Sequence, residues 1–226
     1  MTDSNFHPTH WTLVLRARGE GEGAIAALSE LCAAYYAPVV AFLRRDGRQE
    51  DAARETAHAF FESLLASGVG APDPGRGRFR NYLLGALKHF LSKQRDASRA
   101  GKRGNGVEHV PLLDEAARGA PDDTLAFDRE WAHTLITRSL AALEAEQAGK
   151  AEIFATLKPW LDGGVQHSQA DAARSLGISE TAVKVAIHRL RVRFRELIRS
   201  EIAATVSDPA EAADELRHLI AVANAG

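Results

Sequence analysis

The chain has 226 residues, 28 of them Lys or Arg and 30 Asp or Glu, for a formal net charge of −2, and 45% of its residues are hydrophobic. That length and apolar fraction suit an ordinary globular protein of two modest domains. The solitary Cys32 excludes an internal disulfide, and the near-neutral charge argues against strong nonspecific DNA binding by the chain alone. A DNA-binding function would therefore require a partner to deliver the chain. No apolar run approaches the length of a membrane span and the Met1 segment is polar, so a cytoplasmic protein with no membrane partner is expected.

In chain order, nearly everything reads as helix, and Val, Ile, Thr and the aromatics never alternate as a strand requires. Trp11–Arg16 is a short leading segment with Trp11, Val14 and Leu15 available to dock. Helical spacing of Ile25, Leu28, Leu31, Cys32, Tyr35, Val39, Phe42 and Leu43 predicts a helix over 23–45, with Pro38 expected to kink or restart it. Cys32, among apolar neighbours, reads as a buried structural thiol. A second helix is predicted over 49–65, then a Gly- and Pro-rich loop at 68–75 and a third helix over 78–98. Residues 100–125 are broken by Gly and Pro and turn acidic, as a linker would. Helical periodicity returns with Phe127, Trp131, Leu135, Leu140 and Leu143. The expected fold is all-α: a helical domain at 10–99, a flexible linker at 100–125, a second helical domain at 126–203 and a C-terminal helical extension at 204–226. For that extension, packing on the second domain is favoured over docking elsewhere to hide a DNA site.

The most informative stretch runs from Ser168 to Arg191. Ser168 with Asp171 three residues on makes a capping-box start. Gly177 supplies a left-handed helix stop, and Ser179 caps the next helix. Ala173, Gly177 and Val183 fall where a helix-turn-helix needs a small residue, a turn and a plug between helices. With Val183 inward, Ser179, Glu180, Thr181, Lys184, Val185, His188, Arg189 and Arg191 are predicted to face outward toward duplex base edges and phosphates.

A second cationic region spans Arg76–Arg103, where only Asp96 opposes nine Lys and Arg side chains. Phe79, Tyr82, His89 and Phe90 interleave them, a pattern suited to unpaired bases stacked beside a held backbone. Phe79 and Leu83 read as core from the helical period. Asn81, Tyr82, Lys88 and His89 are the residues most open to nucleic acid.

No catalytic constellation is visible. There is no Gly-rich phosphate loop, no metal-ligand pair at helical spacing and no Cys–His pair, so the chain is not expected to be an enzyme or to need a metal or cofactor.

Together, a helical N-terminal half with a basic-aromatic third helix, a linker and a C-terminal helix-turn-helix resemble the extracytoplasmic-function class of bacterial RNA polymerase sigma factors. The resemblance covers residues 10–103 and 127–199. Glu50-Asp-Ala-Ala-Arg-Glu-Thr-Ala-His-Ala-Phe-Phe resembles the polymerase-docking helix, and Gly77-Arg-Phe-Arg-Asn-Tyr-Leu-Leu-Gly-Ala-Leu-Lys-His-Phe-Leu the promoter-melting helix. Ile178-Ser-Glu-Thr-Ala-Val-Lys-Val-Ala-Ile-His-Arg-Leu-Arg resembles the upstream-element reader. Trp11–Ala17 and Thr205–Glu211 resemble the ends of a subgroup with a short C-terminal extension.

The resemblance implies that Asp51, Glu55, His58, Phe61 and Glu62 lie on or near the face meeting the clamp helices of the polymerase largest subunit, the flap region being a further contact. It implies that Arg80, Asn81, Tyr82, Lys88, His89, Lys93 and Arg95 meet melted bases of the downstream promoter element. Ser179, Glu180, Thr181, Lys184, Val185, His188, Arg189 and Arg191 would read the upstream element as duplex. RNA polymerase core and promoter DNA are the implied partners, with an anti-sigma partner or self-regulation by the extension both left open. Thr56 and His58 depart from the family's Asp-Leu-x-Gln docking pattern, and Tyr82 stands where many relatives carry Trp. A stand-alone helix-turn-helix regulator, or a sigma-like protein that has lost polymerase binding, are the competing readings.

Overall fold

The computed structural model describes residues 10–17, 19, 21–66, 78–103, 121–162, 164, 168–206 and 208–224. The described residues form helices and connecting turns without a strand, an all-α protein as the sequence predicts. The helices are α1 (His10–Ala17), α2 (Glu22–Arg45), α3 (Glu50–Ala66), α4 (Phe79–Arg103), α5 (Pro121–Glu146), α6 (Ala151–Leu157), α7 (Pro159–Asp162), α8 (Gln169–Leu176), α9 (Glu180–Thr205) and α10 (Ala212–Asn224). The predicted loop at 68–75 and most of the predicted linker lie outside the described residues.

The chain divides into two compact units, 1–134 with 203–226 and 135–202. Sequence periodicity puts the start of the second domain at 126. The boundary falls later because the first half of α5 carries the aromatics that complete the first unit. Trp131 stacks on Tyr35 of α2 at 4.3 Å, and Phe127 meets Phe42 edge-on at 6.3 Å. Tyr35 also packs on Phe79 of α4 at 5.1 Å. Trp131, Tyr35, Phe79 and Phe127 are all fully buried, and each brings a large apolar area to one shared core.

α2 runs unbroken through Pro38 instead of restarting there. Leu31, Ala34, Tyr35, Val39, Phe42 and Leu43, on both sides of the proline, are buried along one face. That continuous packing offsets the roughly 3 kcal/mol that an interior proline costs a helix. α2 is also long and apolar enough to cross a membrane, with mean hydropathy 1.6 over its most apolar 18 residues, which corrects the expectation of no such run. Its apolar face is engaged in the packing of unit 1. Leu13 and Val14 of α1 are buried, while Leu15 turns outward; the Trp11 side chain lies outside the described part. Ile25, expected on the apolar face of α2, is likewise exposed. Cys32 is half-buried, and burial pushes its thiol above the ordinary value, so it stays protonated as a structural thiol should.

The extension folds onto the first unit, not the second. Asp208 Oδ1 accepts from Ala210 N–H at 2.8 Å, opening a 3-10 turn at Pro209–Glu211 from which α10 grows. Glu215, Leu219 and Val222, at i, i+4 and i+7, form the buried face of α10. Burial of Leu219 and Val222 drives this docking, and Glu215 on the same face meets cations of the first unit.

The second unit has its own core. Leu143 of α5, Phe154, Leu157 and Trp160 of α6 and α7, Ala172 and Ala173 of α8, and Val183, Ile187 and Leu190 of α9 form one cluster. The helix-turn-helix is therefore mounted on a packed base.

Candidate nucleic-acid interface

The turn between α8 and α9 is built by local chemistry. Ser168 Oγ accepts from Asp171 N–H at 3.1 Å while Asp171 Oδ2 accepts from Ser168 N–H at 3.2 Å, the reciprocal capping box. At the other end Gly177 sits at φ 64°, ψ 28°. Ile178 N–H reaches the Ala173 carbonyl at 3.1 Å and Gly177 N–H the Arg174 carbonyl at 3.4 Å, so the last carbonyls of α8 are satisfied by a Schellman stop. Two residues on, Ser179 Oγ accepts from Ala182 N–H at 3.1 Å and starts α9. Val183 is fully buried beneath this turn, as a plug between α8 and α9 should be.

With Val183, Ile187 and Leu190 inward, Ser179, Glu180, Thr181, Lys184, Val185, His188, Arg189 and Arg191 are all exposed. Their roles are not equal. Lys184 Nζ pairs with Glu180 Oε1 at 3.1 Å on the helix surface, a weak exposed contact that a phosphate can displace. Arg191 instead donates from Nε and Nη2 to the Trp160 carbonyl at 3.2 and 3.0 Å. That satisfies a carbonyl where α7 packs against α9, so Arg191 holds the unit together. Further along, Arg193 is clasped by Glu146 at 2.7 Å and Glu196 at 2.8 Å, which raises its pKa and holds the Glu146 carboxyl below its ordinary range. Exposed Arg189, Arg195 and Arg199 complete the cationic side of α9.

On α4, Phe79, Leu83, Leu84, Leu87 and Leu91 are buried, and Asn81, Lys93 and Arg95 are exposed. Tyr82, Lys88 and His89 are half-buried. Tyr82 leans on Phe79 at 5.8 Å, leaving part of its ring open. Arg95 is bound by both oxygens of Asp46, at 2.6 and 2.9 Å, which ties α4 to the turn after α2.

Arg80 departs from the expected base-binding face. It is 3% exposed and its guanidinium meets Asp128 of α5 and Glu215 of α10. Glu215 Oε1 accepts from Nε at 2.9 Å and Oε2 from Nη2 at 3.3 Å. Arg78 adds a contact to Glu215 Oε2 at 3.0 Å, and His218 Nε2 lies 2.7 Å from Asp128 Oδ2. Burial opposes the charge on Arg80, but the hydrogen bonds and charges of Glu215 and Asp128 outweigh it and raise its pKa. The physical reason for the misplacement is register: Arg80 stands at i relative to Leu84, Leu87 and Leu91 at i+4, i+7 and i+11, the apolar stripe of α4. Asp128 and Glu215 each also fall on a buried stripe of their own helix.

On α3, Asp51, Glu55, His58 and Glu62 recur at i, i+4, i+7 and i+11 and are all exposed, one continuous stripe. Phe61 is not part of it. It is 4% exposed and packs on Phe60 at 5.3 Å, while the His58 ring lies 5.2 Å from Tyr36. Thr56 is buried, its hydroxyl donating to the Ala52 carbonyl at 2.6 Å, so the position keeps its inward packing role without an unsatisfied polar atom.

Among the described residues no group of three or more His, Cys, Asp or Glu side chains could hold a metal ion. No family model, no curated protein and no solved structure matches the chain.

Proposed function

We propose that this protein is a promoter-specificity subunit of bacterial RNA polymerase, a sigma factor of the extracytoplasmic-function class acting through binding energy and without catalysis of its own. The observation that carries the reading is the helix-turn-helix. Its capping box, left-handed Gly177 and buried Val183 present Glu180, Thr181, Lys184, Val185, His188 and Arg189 along one exposed face. A helix of that kind fits a major groove, reading base edges with its N-terminal residues and holding phosphates with its cations.

Two further features support the class. α4 carries Asn81, Tyr82, His89 and Lys93, polar and aromatic groups at least partly open to solvent and suited to unpaired bases. The α3 stripe of Asp51, Glu55, His58 and Glu62 gives an exposed, mostly acidic face for a basic protein partner. Two separate nucleic-acid contacts on one chain gain avidity when a larger partner holds both, which suits a protein of net charge −2.

The test is binding of the purified chain to bacterial RNA polymerase core, followed by run-off transcription on a genomic fragment library. Core binding with new, discrete start sites is the expected result. Duplex binding without core binding would overturn it in favour of a stand-alone regulator.

A further inference from the structure

Arg78 and Arg80 converge on a single carboxylate. Glu215 Oε1 accepts from Arg80 Nε at 2.9 Å, and Glu215 Oε2 accepts from Arg80 Nη2 at 3.3 Å and from Arg78 Nη1 at 3.0 Å. Guanidinium forks match carboxylate and phosphate with the same bidentate geometry, so a pair of arginines arranged for one is arranged for the other. We infer that Arg78 and Arg80 form a binding site for a phosphate of a nucleic-acid backbone, which Glu215 of the C-terminal helix occupies and holds shut.

The build of α10 is that of a releasable element. It has 13 residues, too few to persist as a helix in water without a surface to pack on. Its buried face consists of Glu215, Leu219 and Val222, with half-buried His218 reaching Asp128, while Asp214, Arg217 and Ile220 face solvent. Within that buried face the carboxylate contributes little net docking free energy, because the attraction it gains is largely offset by the cost of removing charge from water. When α10 leaves, Asp128 still holds one edge of Arg80 and keeps the guanidinium aimed at the space that Glu215 vacated. Arg78, already partly exposed, becomes its free neighbour. A backbone phosphate and Glu215 cannot occupy that space together, so nucleic acid bound there and α10 docked there oppose each other reciprocally.

This inference rests on the reading of the chain as a nucleic-acid-binding protein, but not on polymerase. Its test uses the full-length chain and a short single-stranded oligonucleotide of mixed sequence, titrated over a range of salt. Glu215→Gln keeps the shape and removes the charge, and should tighten binding and steepen the slope of log K against log salt by about 0.7, the value for one phosphate contact on a single strand. Asp214→Asn makes the same change of charge on an exposed neighbour and should leave the slope where it was. Adding Arg78→Gln to Glu215→Gln should remove about half the gain. Leu219→Ala loosens α10 without touching a charge, and should move the slope in the same direction as Glu215→Gln. Hydrogen exchange along α10 reports release in each variant. Release with an unchanged slope overturns the inference, as does loss of cooperative unfolding of the first unit on release, which would make α10 a fixed part of that core. Wild-type duplex binding that depends on Lys184, with no gain in Glu215→Gln, sinks the closed site alone. A chain that binds neither strand form removes the nucleic-acid reading as well.

Discussion

Glu215 and Arg80 stand 135 residues apart in sequence and share two hydrogen bonds in a place where neither is exposed by more than a few per cent. Asp128 binds the other side of the same guanidinium, so Arg80 is the cation that joins α4, α5 and α10. Such a cluster stabilises a fold weakly when intact but punishes the loss of one member, because the remaining charges stay buried. Arg80→Ala removes the cation that two buried carboxylates share, leaving Glu215 with Arg78 alone and Asp128 with the His218 ring. It should cost the first unit about 3–5 kcal/mol, read as a lowered urea midpoint. An unchanged midpoint would mean that the cluster is solvated in solution.

Gly177 permits a sharper test of the turn. A Cβ built there meets nothing within 4 Å, so a substitution suffers from backbone conformation alone. At φ 64°, Gly177→Ala should lower the stability of the second unit by about 1–2 kcal/mol, whereas Gly177→Asn, whose side chain tolerates the left-handed region, should lose less. Thermal unfolding of the two variants side by side checks the order. Equal losses would point to a steric cause that the geometry does not contain.

Much of this was legible in the chain itself. The turn chemistry from Ser168 to Val183 is local, each residue acting on a backbone group within a few positions, so reading it needs no tertiary knowledge. The core positions Phe79 and Leu83 followed from helical period alone. Sequence places Arg80 on the base-binding face and singles out neither Asp128 nor Glu215, for one shared reason. Each is a charged residue on an apolar stripe, and a charge in a sequence reads as surface until its partner is known. The stripe itself was the available signal: Arg80 with Leu84, Leu87 and Leu91, Asp128 with Trp131, Ala132 and Leu135, Glu215 with Leu219 and Val222. Three charged misfits on the apolar stripes of three helices are a buried cluster in outline. The late boundary in α5 escaped for a different reason, since helical periodicity runs straight through it and nothing local says which core Trp131 joins.

The α3 stripe separates docking from folding. Asp51→Lys and Glu62→Lys change exposed positions and should weaken binding to polymerase core while leaving the stability within about 0.5 kcal/mol of wild type. Phe61→Ala should instead cost about 3–5 kcal/mol, as expected for an aromatic side chain removed from a core, and so tells nothing about the partner. Pull-down with immobilised core, paired with chemical denaturation, makes the comparison. Charge reversals without effect on the pull-down would remove this face from the interface.

Acid should find the clasp between Glu146 and Arg193. The carboxyl of Glu146 is held below its ordinary range by hydrogen bonds from Arg193. A depressed folded-state value means that the pair contributes above the ordinary carboxylate range, and that the contribution is lost as pH falls through the depressed value. Glu146→Gln should therefore bring the stability of the second unit at neutral pH toward its acid value and flatten the profile between them. Circular dichroism melts at a series of pH values measure this, and a variant profile that runs parallel to wild type would show the clasp to be absent in solution.

Arginines two residues apart on α9 should fail in different ways. Arg189 is exposed on the outward face, whereas Arg191 spends its Nε and Nη2 on the Trp160 carbonyl. Replacing Arg189 or Lys184 by Ala should weaken duplex binding and reduce the slope of log K against log salt by about 0.9 for each phosphate no longer neutralised, with the melting temperature of the second unit unchanged. Arg191→Ala should lower that melting temperature, because the Trp160 carbonyl loses its donors. Its effect on binding should follow the loss of folded protein, and raising the fraction folded with a stabilising osmolyte should restore it. If Arg191→Ala binds duplex as weakly as Arg189→Ala while fully folded, the guanidinium leaves Trp160 for DNA in the complex, and its bond to α7 belongs to the free protein alone.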